Sequence, residues 1–237
     1  MKHSLGIRDL SYSYLRNSWS LGPLNVEFES GINLIVGPNA AGKSTILKLL
    51  AGLLNKKSGD ISFDGKNIEG FEKRDFARLV GWLPQSTYNP PHLRARELLS
   101  LGRIPHLLNF WDDLLGREEI DALFSRLEIP CKPDDFVESV SGGTRQLLNL
   151  GRLIIQAPLF FLFDEPFEGI DQRHQKLALE YLNEKVLQEK SLIIISTHHL
   201  IQPLRFAQNI FVVENGLIKR IEKERGHESD IYCQFYF

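Results

Sequence analysis

Hydrophobic and polar residues alternate along the first third of the chain in a way that predicts strands. In "PLNVEFES" the apolar residues Leu24, Val26 and Phe28 are separated by polar ones, which predicts a strand buried on one face. Asp64-Gly65 and Asn215-Gly216 each predict the turn of a hairpin. The apolar run "INLIV" predicts a further strand. Four later runs predict the buried strands of a parallel sheet, namely "LVGWLP", "LFFLFDE", "SLIIIST" and "NIFVVE".

Residues 86–157 follow a helical pattern instead. The segments "ARELLSLG" and "EEIDALFSRL" have helical spacing, and so does "LLNLGRLII", which follows "VSGGTRQ". Prolines mark loops within this region, at Pro90, Pro91, Pro105, Pro130 and Pro133. We therefore predict an α/β core made of residues 1–85 and 158–237, with residues 86–157 inserted as a helical subdomain.

The composition is that of an ordinary globular protein. The 237 residues are 43% hydrophobic and 24% charged, with a formal net charge of −2. This balance argues against a sequence-independent DNA or RNA binder. Cys131 and Cys233 have no metal-binding or redox spacing and indicate a reducing compartment. No apolar run approaches the roughly 20 residues that span a bilayer. The polar N-terminus is not a secretory signal, so we expect a cytosolic protein.

A phosphate-binding loop follows the predicted strand "INLIV". The segment "GPNAAGKST" matches G-x-x-x-x-G-K-[ST] and precedes a predicted helix. Backbone N–H groups of such a loop converge on an anion, and the helix N-terminus adds partial positive charge. Lys43 would reach the β- and γ-phosphates and Ser44 would bind Mg²⁺. The nucleotide-binding residues predicted here are Gly37, Pro38, Asn39, Ala40, Ala41, Gly42, Lys43, Ser44 and Thr45.

Two carboxylates end the predicted strand "LFFLFDE". An unpaired buried carboxylate is costly, so acids at the end of a buried strand indicate a cation or a reacting water. Asp164 would complete the Mg²⁺ shell, and Glu165 would act as base for the attacking water. By itself, a strand-end acid that caps the turn before Pro166 would explain the pair equally well. The phosphate loop in the same chain favours the catalytic interpretation.

Polar side chains also follow two other predicted strands. His198, at the end of "SLIIIST", would contact a γ-phosphate, although a histidine in such a place is often structural. Gln85 follows "GWLP", where its carbonyl oxygen would coordinate Mg²⁺ or position water. A surface loop residue is the alternative for Gln85.

Taken together and in order, these motifs resemble the ATPase subunit of an ABC transporter over nearly the whole chain. The phosphate loop, the second Walker motif "LFFLFDEP" and the signature motif "VSGGTRQ" all match. Gln85 fits the Q-loop, Asp171 in "FEGID" fits the D-loop, and His198 in "STHHL" fits the switch histidine. Tyr14 fits the aromatic residue that stacks on adenine.

The resemblance implies a fold, ligands and partners. The fold would be a P-loop NTPase with a RecA-like core, an antiparallel β layer and an inserted helical subdomain. Two copies would bind two ATP and Mg²⁺ between them, in a head-to-tail arrangement. This dimer would lie on the inner face of the membrane, bound to transmembrane permease subunits. A solute-binding protein would complete the system. Each active site would then be composite. The donors to the γ-phosphate of the opposite copy would be Ser141, Gly142 and Gly143.

The same resemblance assigns the remaining roles. Glu165 would handle the water, His198 would sense the γ-phosphate, and Asp171 would communicate across the dimer. Gln85 would link the metal site to the permease, and Asp164 would complete the metal shell. The chain departs from the family pattern where Ala40 replaces a glycine and Thr144 replaces a glutamine.

A finer resemblance concerns the transported solute. The segment "RARELLSLGRIPHL" is similar to ATPases that serve importers of iron–siderophore, haem, cobalamin and other metal chelates, through Arg103, Pro105 and His106. The alternative is that this segment is only an ordinary partner-facing surface of the helical subdomain.

Two other functions stay open at this stage. One is a soluble ABC ATPase, as in iron–sulfur assembly, and the other is an ATP-gated subunit with little turnover. Retention of Lys43, Asp164, Glu165 and His198 favours hydrolysis over the second of these.

Overall fold

The computed structural model describes residues 2–14, 20–107, 117–198 and 201–221, which form two β-sheets surrounded by helices. The strands are β1 (Ser4–Ser13), β2 (Ser20–Glu29), β3 (Gly31–Val36), β4 (Ser58–Phe63), β5 (Lys66–Asn67), β6 (Val80–Leu83), β7 (Phe160–Asp164), β8 (Leu192–Ser196), β9 (Asn209–Glu214) and β10 (Leu217–Ile221). The α-helices are α1 (Lys43–Leu50), α2 (Lys73–Leu79), α3 (Ala95–Ser100), α4 (Arg117–Leu127), α5 (Gly142–Gln156), α6 (Gln172–Glu189) and α7 (Ile201–Phe206).

The larger sheet has the strand order β10-β9-β3-β8-β7-β6, and all its neighbours are parallel except β10 and β9. Every residue of β3, β7 and β8 is buried. Such continuous apolar strands belong in a parallel sheet that is covered on both faces. The prediction of buried parallel strands is therefore confirmed, as is the hairpin at Asn215-Gly216, which joins β9 to β10.

The smaller sheet is antiparallel and has the order β2-β1-β4-β5. Leu24 and Phe28 of β2 are buried while their polar neighbours are exposed, as the alternation predicted. This face shares one apolar cluster with α1 and with one face of the larger sheet, including Phe160 and Phe211. The hairpin predicted at Asp64-Gly65 joins β4 to β5.

Between residues 86 and 157, the described part of the chain contains helices and one isolated bridge, Arg94 to Phe136. Buried residues of α3, α4 and α5 form a second apolar cluster with the other face of the larger sheet, including Phe161 and Phe163. The helices therefore rest directly on the sheet that carries the phosphate loop. Together the two layers confirm the predicted α/β class. No helix within the described ranges is long and apolar enough to cross a membrane.

Candidate functional site

The carboxyl ends of the parallel strands meet beside the phosphate loop, and a cavity of about 760 Å³ opens there. Its volume is within the range of small-molecule sites. Most of the residues predicted to bind nucleotide or to act in catalysis line it. The lining residues are Tyr14, Asn39, Ala40, Gly42, Lys43, Ser44, Thr45, Gln85, Glu165, Glu168 and His198.

The side chain of Lys43 is held by the first residues of the phosphate loop. Its Nζ donates to the carbonyl oxygens of Gly37 at 2.8 Å and Pro38 at 3.1 Å. Burial lowers the pKa of Lys43, and the nearby carboxylates of Glu165 and Asp164 oppose that shift. An ammonium with two carbonyl partners and one remaining N–H is well suited to exchange a carbonyl for a phosphate oxygen.

Ala40 occupies a left-handed backbone conformation, with φ of 62°. A side chain is disfavoured in that region, and glycine is the residue that adopts it without penalty. Alanine at this position, where the resemblance leads one to expect glycine, therefore has an energetic cost. The loop carries strain of about 1 kcal/mol at an exposed position beside the cavity.

Asp164 and Ser44 are 120 positions apart in sequence and in hydrogen-bond contact in the fold. Ser44 Oγ donates to Asp164 Oδ1 at 3.0 Å, and the buried Ser196 Oγ donates to the same oxygen at 2.6 Å. A hydroxyl and a carboxylate are hard oxygen donors of the kind that Mg²⁺ prefers. The described residues contain no group of three or more His, Cys, Asp or Glu that could hold a metal.

Glu165 is fixed through both its backbone and its carboxylate. Its φ of 50° is also left-handed, and its N–H donates to the carbonyl oxygen of Ser196 at 3.0 Å. Its Oε2 lies 2.9 Å from His198 Nδ1 and accepts the backbone N–H of His198 at 3.2 Å. Strain of this kind at a non-glycine residue is common at active sites. The structure thus brings Glu165 and His198 together at the cavity wall.

Tyr14 lines the same cavity beside Thr45 of the phosphate loop. Its side chain is about 40% exposed, and its hydroxyl lies 3.3 Å from Thr45 Oγ1. The ring of Tyr12 packs edge-on against it, with the ring centroids 4.9 Å apart. One face of an anchored aromatic ring at the rim of the cavity is suited to stack on a planar base.

Gln85 lies at the cavity with a partner that the sequence did not indicate. Its Nε2 donates to Glu168 Oε2 at 3.1 Å. Glu168 follows the Asp164–Glu165 pair in the loop "FEGID", and nothing local in that loop marks it as functional. Only the fold places it opposite a residue 83 positions away.

Ser141, Gly142 and Gly143 do not line this cavity. Ser141 caps α5: its Oγ accepts the N–H of Thr144 at 3.1 Å and lies 2.8 Å from the Thr144 hydroxyl. Ser141 and Gly142 are exposed, whereas a Cβ at Gly143 would lie only 2.2 Å from the carbonyl oxygen of Gly169. Gly143 is therefore required for contact within the chain, and Gly142 is the glycine that faces open space.

Asp171 is also outside the cavity. It caps α6 by accepting the N–H groups of Arg173 at 3.0 Å and His174 at 3.1 Å. These hydrogen bonds, with that of His174 first among them, lower the pKa of Asp171. The His174 ring contacts the Asp171 carboxylate at 2.5 Å and the Glu128 carbonyl at 3.0 Å. The loop that carries Asp171 is thereby joined to the end of α4.

The segment around Pro105 turns toward its own chain. The Pro105 carbonyl accepts from Arg78 Nε at 2.9 Å, and His106 Nε2 lies 2.8 Å from the carbonyl oxygen of Gln156 at the end of α5. Arg103 instead lines a separate cavity of about 490 Å³. Pro105 and His106 thus connect α5 to the core.

Comparison with known proteins agrees with this geometry. The family model described as "ABC transporter" matches residues 21–168, which include the phosphate loop, the helical region and the carboxylate pair. The ferric enterobactin transport ATP-binding protein FepC of Escherichia coli (strain K12) is 31% identical over 201 residues, which are 82% of this chain and 73% of that protein.

Other relatives have similar identities and various named solutes. Those 28–31% identical are named for import of petrobactin, hemin, cobalamin and iron(3+)-hydroxamate, and also of sulfate/thiosulfate and sn-glycerol-3-phosphate. Sequence identity alone therefore does not select one solute among them.

Solved structures share the fold. A bacterial Atm1-family ABC exporter with ATP bound has a TM-score of 0.82 at 22% identity over 99% of this chain, which spans 42% of the exporter chain. The dimeric structure of a bacterial ABC transporter cassette has a TM-score of 0.80 at 20% identity, covering 94% of this chain and 99% of that one.

Proposed function

The chain belongs to the ABC transporter ATP-binding family, whose members are ATPases coupled to transport, and from this premise we propose that two copies clamp two ATP molecules head to tail and drive import through a membrane permease. The observation that supports this proposal most directly is the position of Glu165 and His198. Both lie on the wall of the cavity that the phosphate loop also lines.

The proposed hydrolysis uses the described contacts. Lys43 exchanges a loop carbonyl for phosphate oxygens of ATP. The Glu165 carboxylate accepts a proton from water as the water oxygen bonds to the γ-phosphorus, and the bond to the bridging oxygen of ADP breaks. His198, already in contact with Glu165, orients that carboxylate and senses the γ-phosphate. Tyr14 stacks on adenine at the rim.

The donors around Ser44 fit a magnesium ion. The Ser44 hydroxyl and the Asp164 carboxylate would hold it, and Gln85 would add an amide oxygen. When bound with ATP, the ion neutralises charge that develops on the phosphates. Ser196, which donates to the same Asp164 oxygen, keeps that carboxylate in place.

The second half of each site would come from the other copy. Ser141 and Gly142 are exposed at the start of α5 and lie away from the cavity of their own chain. In a head-to-tail dimer they would donate to the γ-phosphate held by the opposite Lys43. Asp171 would communicate between the copies. Residues 86–157 would form a helical subdomain beside a core of residues 1–85 and 158–237.

We further propose a metal chelate as the solute, delivered by a solute-binding protein to a permease that holds this subunit on the inner face of the membrane. Support comes from relatives named for enterobactin, petrobactin, hemin and cobalamin, and from the resemblance around Arg103, Pro105 and His106. Within the chain, the contacts of Pro105 with Arg78 and of His106 with Gln156 would hold this segment in place beside the end of α5.

The test compares dimer formation in two variants. In a Glu165→Gln background, where ATP persists, we expect an ATP-dependent dimer by size-exclusion chromatography with light scattering. Adding Ser141→Arg should abolish the dimer while leaving ATP binding by the single chain intact. The matched control is Ser125→Arg, at an exposed position on α4. Dimerisation of the Ser141→Arg protein to the same extent as this control would contradict the proposed composite site.

A further inference from the structure

We propose that Glu168 is a positioning residue for Gln85, and that it turns the amide oxygen of Gln85 toward the cation held with ATP. This inference rests on the proposed function, because it concerns the same cavity. The two side chains line the cavity together with Ser44 and Glu165. Within the described part of the chain, the side chain of Gln85 is hydrogen-bonded to Glu168.

The chemistry of the pair selects one orientation of the amide. An ionised carboxylate only accepts hydrogen bonds, and the side-chain nitrogen of glutamine only donates them. The reverse orientation would place the amide oxygen against a carboxylate oxygen, without a proton between them. Gln85 Nε2 therefore faces Glu168 Oε2, at 3.1 Å, and the amide oxygen is the atom that remains for another partner. Oxygen is also the donor atom that Mg²⁺ prefers.

The backbone that carries Glu168 is held by a set of hydrogen bonds. Gln85 and Glu168 are both exposed, and Gln85 lies two residues beyond the last residue of β6. Glu168 is in a tight turn in which its N–H donates to the Glu165 carbonyl at 3.3 Å. The next residue, Gly169, packs its carbonyl against Gly143. The following one, Ile170, is buried.

This turn has a further support from α6. The Ile170 N–H donates to the Phe167 carbonyl at 3.1 Å, and the Ile170 carbonyl accepts Gln175 Nε2 at 2.7 Å. The turn that carries Glu168 thus has hydrogen bonds on both sides of it, which places the Glu168 carboxylate as a partner for the Gln85 amide. A ligand group whose orientation is set before the cation arrives loses less rotational freedom on binding it.

A simpler role for Glu168 would be to attract the cation by its charge alone. The two roles give different results in a double-mutant cycle, since only the positioning role requires Gln85. They also differ for Glu168→Gln, which removes the charge but keeps an oxygen that can accept the Gln85 amide.

The probe is Mn²⁺, whose binding to ATP-loaded chain is measured by electron paramagnetic resonance in the Glu165→Gln background. We expect Glu168→Ala and Gln85→Ala each to weaken Mn²⁺ binding roughly 3- to 10-fold. The double variant should bind no more weakly than Gln85→Ala alone, and Glu168→Gln should recover part of the loss. ATP binding in EDTA should stay unchanged throughout.

Three outcomes would overturn the proposal: additive losses in the double variant, Glu168→Gln as weak as Glu168→Ala, or no loss in Glu168→Ala. A control separates this failure from that of the proposed function. Ser44→Ala and Asp164→Asn should lose Mn²⁺ binding whatever Glu168 does. If they retain it, the proposed metal site itself is wrong. If they lose it while the Glu168 variants bind normally, only the role of Glu168 fails.

Discussion

The cavity half and the signature half of the proposed site are built in different ways. In the cavity half, the polar side chains already contact one another or the backbone: Lys43 donates to two loop carbonyls, Ser44 donates to Asp164, and Glu165 contacts His198. In the signature half, the Ser141 side chain contacts the N–H and the hydroxyl of Thr144 within its own helix, and Gly142 has no described atom within 4 Å of where a Cβ would be.

The difference shows how each half would respond to nucleotide. ATP entering the cavity must exchange existing contacts for new ones, so specificity there comes from groups that are held in place before binding. The signature half has donors at an exposed helix start, and in the proposed dimer they would gain a partner when a second copy arrives. Three sets of variants test this comparison, from the largest expected effect to the smallest.

Removing the carboxylate of Glu165 should have the largest effect. Glu165→Gln keeps the size of the side chain but cannot accept the proton from water. We expect steady-state ATP turnover to fall by roughly 10²- to 10⁴-fold, the usual contribution of a general base. ATP binding should persist, because Lys43 and the phosphate loop are unchanged.

The control for this measurement is Glu180→Gln, at a position on α6 that does not line the cavity. Its turnover should stay near that of the unmodified protein. If the turnover of Glu165→Gln is within about twofold of this control, Glu165 is not the general base.

The paired signature glycines should respond unequally to alanine. A Cβ at Gly143 would lie 2.2 Å from the Gly169 carbonyl, so Gly143→Ala must shift the loop or the helix. We expect a loss of about 1–3 kcal/mol in the free energy of unfolding, measured by urea denaturation. Gly142→Ala enters open space at the start of α5 and should be neutral or slightly stabilising. Equal effects of the two substitutions would show that Gly143 does not pack as described.

Relieving backbone strain should give the smallest change. Ala40 in the phosphate loop has φ of 62°, and Ala157 at the end of α5 has φ of 48°. Replacing either residue with glycine should raise the free energy of unfolding by up to about 1 kcal/mol, or Tm by about 2–4 °C. Ala157→Gly is the control outside the cavity. We expect only Ala40→Gly to alter ATP affinity as well, because only that residue lines the cavity.

Calorimetry of ATP binding to the two glycine variants checks this last difference. If both variants, or neither, change ATP affinity while Tm rises in each, the strain at Ala40 has no specific connection to nucleotide binding.

Local sequence determined much of the fold. It predicted the phosphate loop, the buried parallel strands, the hairpin at Asp64-Gly65 and the hairpin at Asn215-Gly216. Each of these features depends on residues that are neighbours along the chain. The placement of Asp164 and His198 at one edge followed as well, since parallel strands end on the same side of a sheet.

The tertiary structure decided the contacts between distant segments. Gln85 meets Glu168 across 83 positions, and His106 meets Gln156 across 50. Gly143 also packs against the carbonyl of Gly169, a contact that the sequence did not indicate. Such pairs leave no periodic signal, since each depends on where two independently formed elements dock. Local pattern thus specified the phosphate loop and the strands, and long-range packing specified which side chains support them.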